Sequence, residues 1–172
     1  MSTRQTARAA ILVAATCVAA QISVPLPLGV PFTLQPLAVI LTALLLPPGA
    51  ASAAMGAYVL LGAAGLPVFA GFASGVHVIL GPSGGFLLAY PLAAAAISAL
   101  AGPRAGFARG LLAAAAGLVV IYGLGAAVMA AYLHWGLVRA ATYLAVTFLA
   151  LDAAKAVLAA QLAPRVRRGM GA

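Results

Sequence analysis

The sequence is nearly empty of charge. Charged residues make up 6% of its 172 residues, and Asp and Glu together number one. A soluble domain carries about 25% charged residues, so a water-facing globule is excluded. At 66% hydrophobic the chain is equally far from the low hydrophobicity that keeps a chain disordered. Asn is absent altogether. The single cysteine, Cys17, excludes an internal disulfide. The one acid, Asp152, leaves no carboxylate for a Ser–His–Asp set elsewhere. His77, His134 and Cys17 have no metal-ligand spacing. The run Gly81-Pro-Ser-Gly-Gly85 lacks the lysine and preceding strand of a phosphate-binding loop. With no catalytic cluster, neither an enzyme nor a resident cofactor or metal is expected, and any energy source lies outside this chain.

Basic residues are present, and the net charge is +8. They fall at the ends of apolar runs and form no stripe, which argues against nucleic acid and for membrane orientation. No Asp, Glu, Lys or Arg occurs between Arg8 and Arg104. A spanning helix needs about 20 apolar residues, so that interval has room for several crossings. The apolar runs are continuous and rich in Ala and Leu, without the alternation of barrel strands. The reading is an all-α, multi-pass membrane protein forming one integral membrane domain over residues 1–172. The basic N-terminus followed by an apolar run resembles a signal peptide. The run extends to about Val24 and further runs follow, so it is read as a retained helix.

Six helical segments are predicted: Thr6–Val24, Gln35–Leu46, Gly49–Gly62, Gly84–Leu100, Ala105–Leu133 and Leu137–Ala163. Pro47-Pro48-Gly49 and Gly102-Pro103 break the pattern. Pro164 is expected to end the last helix, leaving a basic tail over 164–172. Six spans with both termini in the cytoplasm put Arg4, Arg8, Arg104, Arg109, Arg165, Arg167 and Arg168 inside and Arg139 outside.

Two connections stand out. Pro25–Pro36 holds four prolines in twelve residues; Gly62–Gly85 is glycine-rich. Both lack acids, lysines and arginines and carry apolar side chains. Irregular backbone at membrane depth must be buried in protein or line a cavity, so both are expected to fold over the helices as extracellular lids. Ordinary interfacial loops are the other reading. Phe32, Phe69, Phe72, Phe86 and Tyr90 lie on or beside the lids and suit an apolar pocket or an interfacial belt. Tyr122, Tyr132, Trp135 and Tyr143 fit the belt better.

The only lysine, Lys155, follows the only acid by three residues, which sets both on one face of the last helix. Each charge costs about 2.5–3.5 kcal/mol at the bilayer centre, and such residues mark a substrate or ion path or a structural ion pair. Thr33 and Gln35 end the first lid and either orient a ligand or cap the next helix. Small residues four apart on the first helix, Ala10 and Ala14 or Ala15 and Ala19, allow close approach of another membrane helix.

Four stretches are distinctive: Val30-Pro-Phe-Thr-Leu-Gln35, Gly65-Leu-Pro-Val-Phe-Ala-Gly71, Gly81-Pro-Ser-Gly-Gly-Phe86 and Asp152-x-x-Lys155. In these the sequence resembles the biotin transporter family BioY, the substrate-binding S component of energy-coupling factor (ECF) transporters, the third stretch being close to the family's GPTGGY. The resemblance covers about residues 6–163. It implies the six-helix S-component fold, with biotin in a loop-covered pocket open to the outside, in a bacterial or archaeal cytoplasmic membrane. It also implies a transmembrane coupling (T) subunit docking on an Ala-xxx-Ala face, carried over to Ala10 and Ala14, and separate cytosolic ATPases. The resemblance carries biotin contact over to Asp152 and Lys155, with Ser74 the candidate replacement for a lid Asn of the family. Together with the lid residues read above, the expected substrate-binding set is Asp152, Lys155, Gln35, Thr33, Phe32, Phe69, Ser74, Gly84, Gly85 and Tyr90. Self-association stays open, as does an ion-coupled carrier with Asp152 and Lys155 as a gate.

Overall fold

The computed structural model describes residues 2–169. Seven helices occur among them: α1 Thr3–Gln21, α2 Gln35–Leu45, α3 Pro48–Ala63, α4 Val76–Ile79, α5 Gly84–Ala101, α6 Phe107–Leu133 and α7 Leu137–Gly169. Six correspond to the predicted segments. The seventh, α4, is a single turn within the second connection. Three helices, α5, α6 and α7, are long and apolar enough to cross a membrane. The shorter α2 and α3, 11 and 16 residues long, are apolar as well.

Helix α1 starts and stops earlier than Thr6–Val24. Ser2 and Gln5 form a reciprocal capping box at its start, which satisfies amide groups that the first turn leaves free. Beyond Gln21 the chain turns extended. Ser23 and Val24 pair antiparallel with Thr33 and Phe32, so the first connection is a small hairpin closed by a 3-10 turn over Pro27–Gly29. Leu28 (φ 70°) and Gly29 (φ 76°) are both left-handed there. Gly29 accepts that conformation without steric cost, and it is also packed against Pro82 of the other connection. The two connections therefore touch.

The last helix does not stop before Pro164; it runs through it to Gly169. A proline inside a helix removes one backbone hydrogen bond. The final turns are held from outside instead. Arg167 Nη2 donates to the Leu44 carbonyl at the end of α2, at 2.6 Å. A cationic side chain satisfying a terminal carbonyl is favourable at a helix C-terminus.

Helices α5 and α6 pack together, α6 on α7, α3 on α5, α2 on α7 and α5, and α1 on α2 and α3. The core is built from small residues with a few large ones; Ile40, Met55, Tyr58, Ile97 and Ile121 are among the fully enclosed side chains. Small residues at interfaces let helix backbones approach where lipid offers no hydrophobic drive.

Hydrogen bonds order the two ends of the bundle. At one end Ser98 Oγ donates to Leu46 O at 2.6 Å and Arg109 Nε to Leu100 O at 2.9 Å. At the other, Gln21 Nε2 donates to Phe69 O and accepts, through Oε1, from Phe72 N. This order sets Arg4, Arg8, Arg104, Arg109, Arg165, Arg167 and Arg168 at the end away from the two connections. Arg139 lies at the opposite end, beside Trp135.

Candidate ligand pocket

A cavity of about 420 Å³ lies beneath the two connections. Pockets for small ligands run from about 300 to 1,000 Å³. Its walls come from α5, α6, α7 and both connections, and most of its surface is apolar. Into this apolar space α7 places the chain's only acid and its only lysine.

The pair is tied together and to its surroundings. Asp152 and Lys155 are 4% and 6% exposed. Lys155 Nζ lies 2.6 Å from Asp152 Oδ1 and donates to the Thr33 carbonyl at 2.6 Å. The Phe32 ring covers the ammonium at 3.9 Å from its centroid, a favourable cation–π geometry. On the other carboxylate oxygen, Tyr122 OH donates to Asp152 Oδ2 at 2.7 Å. An ionised carboxylate has about four acceptor sites and an ammonium three donors. The observed bonds use two of each, so the pair is held in place with hydrogen-bonding capacity to spare.

A second buried polar chain underlies the lids. Thr33 Oγ1 donates to Gln35 Oε1 and accepts from Gln35 N. Gln35 Nε2 donates to Tyr58 OH at 2.6 Å, and Tyr58 OH donates to the Val68 carbonyl. Phe69 meets Tyr58 edge to face, with centroids 5.7 Å apart. The first connection, α2, α3 and the second connection are thus joined through one run of side chains. No buried side-chain polar atom lacks a partner among the described residues, as expected where unmet polar groups are costly.

Asp152, Lys155, Thr33, Gln35, Phe69 and Tyr90 all border the cavity. Phe32 stands behind them, against Lys155. Gly84, Gly85 and Ser74 do not border it. A Cβ on Gly84 would collide with the Ile79 carbonyl, and one on Gly85 with the Leu124 carbonyl of α6, so these glycines let α5 begin in close contact with its neighbours. Phe86 borders the cavity and packs on Gly125, whereas Phe72 is 69% exposed.

Three participants were not legible as such in the sequence. Tyr122, assigned above to an interfacial belt, instead bonds Asp152; only the register of α6 against α7 brings them together. Phe148 borders the cavity, and its position four residues before Asp152, one turn along the same face, was an available signal. Tyr58, buried in α3, gave no signal. The belt reading suits Trp135 and Tyr143 better. They stack edge to face with Arg139 over the indole, and Tyr143 OH also holds the Pro27 carbonyl of the first connection.

On α1, Ala9, Val13, Thr16 and Ala20 face the bundle, while Ala10 and Ala14 are exposed. Ile11 and Val18 extend the same outward apolar surface.

These features define a membrane protein with a lidded, largely apolar pocket holding one buried ion pair. The BioY family model matches residues 1–172. The chain is 42% identical over 165 residues to the biotin transporter BioY of Thermotoga maritima, covering 96% of each chain. It is 38% identical over 167 residues to the probable biotin transporter BioY of Pyrococcus horikoshii, covering 97% of this chain and 98% of that one. Its fold matches the crystal structure of the S-component for biotin from an ECF-type ABC transporter, with a TM-score of 0.89 over 98% of this chain and 95% of that chain at 22% identity. The chain belongs to the BioY family.

Proposed function

We propose that the protein captures biotin at the outer face of a prokaryotic cytoplasmic membrane as the S component of an ECF transporter. In this reading α1, α2, α3, α5, α6 and α7 form the membrane bundle, with flanking residues completing the short α2 and α3; the two connections are extracellular lids and both termini are cytoplasmic. The end-to-end asymmetry of the arginines supports that orientation. The relatives named as biotin transporters support the ligand. The observation that carries the reading is the buried Asp152–Lys155 pair beneath the lids of the cavity.

The chemistry is complementary. Biotin has a ureido group with two N–H donors and a carbonyl, an apolar bicycle and valerate chain, and a carboxylate. Asp152, fixed by Tyr122 and Lys155, has acceptor sites left for the ureido N–H groups. Lys155 has a donor left for the ureido oxygen or the carboxylate, and charge-assisted bonds of this kind are strong. Phe69, Phe86, Tyr90 and Phe148 enclose the apolar parts. Gln35 and Thr33 hold the lids in register over them. Lys155 is thus a support for Asp152 as well as a ligand contact, which removes the need for two groups one turn apart to reach opposite ends of an extended molecule.

Energy comes from cytosolic ATPases through a coupling subunit that docks on the exposed Ala10/Ala14 surface of α1, and the chain itself binds no resident cofactor. Equilibrium binding of labelled biotin to the purified protein tests the reading, with desthiobiotin and unrelated vitamins as competitors. Saturation near one biotin per chain is expected. Absence of binding by folded protein overturns it.

A further inference from the structure

At the end of the bundle opposite the ligand pocket a second cleft opens between the start of α6 and the end of α7. Phe107, Gln161, Pro164, Arg165 and Arg168 border it. The chain's one acid is engaged in the ligand pocket, so among the described residues neither arginine has an acidic partner. Arg167 is committed to the Leu44 carbonyl, which fixes the last turns of α7 and leaves Arg165 and Arg168 at the cleft. No side chain caps the first turn of α6, so its free amide groups and the positive end of its dipole add to the field there.

The cleft continues into an apolar stripe. Leu151, Leu158 and Arg165 are spaced by sevens along α7 and share one face; all three are exposed. Along that face the order is aliphatic, aliphatic, cationic. That is the order of acyl chain and phosphate in a lipid lying against a membrane helix. A free anion has no use for the aliphatic part.

We propose that this cleft binds the phosphodiester headgroup of an anionic membrane phospholipid, with Arg165 and Arg168 contacting the phosphate, Gln161 its ester oxygens, Leu158 the upper acyl chain and Leu151 its far end. Basic clefts between membrane helices are suited to such headgroups. The site is separate from the ligand pocket and does not depend on what that pocket holds.

Native mass spectrometry of the full-length protein with added dioleoyl-phosphatidylglycerol, dioleoyl-phosphatidylcholine or inorganic phosphate tests it. Phosphatidylglycerol should bind at least about tenfold more tightly than phosphatidylcholine. Each arginine near an anionic headgroup contributes about fivefold, so Arg165→Gln with Arg168→Gln should lose about 10- to 30-fold of that affinity, and Arg139→Gln should lose none. Equal binding of the two lipids to the wild-type protein overturns the proposal without any variant. So does an unchanged affinity in a double variant whose thermal unfolding matches wild type. Displacement of phosphatidylglycerol by millimolar inorganic phosphate would show a site for a free anion, and would also overturn it.

Discussion

Lys155 Nζ and the backbone carbonyl of Thr33 are 2.6 Å apart, although 122 residues separate them in the chain. The same ammonium holds Asp152. One cation therefore joins the last helix to the first lid and positions the only carboxylate in the protein.

Removing it should be felt in both roles. Truncating one partner of a buried, hydrogen-bonded charge pair costs about 2–5 kcal/mol. Lys155→Ala is expected to weaken biotin binding by that amount in calorimetric titration of folded protein. Affinity equal to wild type would remove Lys155 from the site.

Tyr122 gives a finer test. Its hydroxyl donates to Asp152 at 2.7 Å, and hydrogen bonds to charged groups contribute about 1.5–3 kcal/mol. Tyr122→Phe keeps the ring and removes the donor. Biotin affinity should fall by roughly tenfold or more, with thermal stability changed much less than by Lys155→Ala.

Gln21 at the end of α1 holds the second lid by two bonds, to Phe69 O and from Phe72 N. Gln21→Ala should release the turn over Ala70–Phe72 and raise hydrogen exchange at Phe72. Mutational effects on related complexes fall mostly on dissociation, so biotin release should accelerate while association changes little. An unaltered dissociation rate would show that this clasp does not govern the lid.

Gly85 separates packing from ligand contact within the double glycine. A Cβ there meets the backbone of α6 as well as Val128. Overpacking typically costs about 1–3 kcal/mol. Gly85→Ala should lower the unfolding temperature clearly, whereas Ser74→Ala should leave it nearly unchanged. If Gly85→Ala instead spares stability and abolishes binding, the glycine acts on the ligand.

The outward face of α1 should be silent in binding and decisive in transport. Ala14→Trp adds bulk at an exposed position, so biotin affinity of the isolated protein should stay at the wild-type value. Uptake in cells supplying the coupling subunit and ATPases should be lost. Full uptake would place the docking surface elsewhere.

Much of the helix layout was readable because the breakers are strong. Pro47, Pro48, Gly102 and Pro103 interrupt runs that are otherwise uniformly apolar, and the start of α3 at Pro48 and the end of α5 at Ala101 fall within a residue of them. Pro164 misled for a physical reason. Proline penalises a helix locally, but Arg167 reaches across to α2 and holds the turns beyond it. The early end of α1 was hidden likewise, because Ser23 and Val24 pair with residues ten and eight positions away in the lid.

By itself the sequence determined that this is a membrane protein of packed helices, since nothing with so little charge can face water. It also singled out Asp152 and Lys155, because charges placed in an apolar run are costly. Only the tertiary structure decided what those two charges touch. Tyr122 on α6, Phe32 and Thr33 in the first lid, and the Gln35–Tyr58–Val68 chain beneath it come together through helix register and lid folding. Those depend on side-chain volumes meeting across helices, and no spacing along a single chain records that.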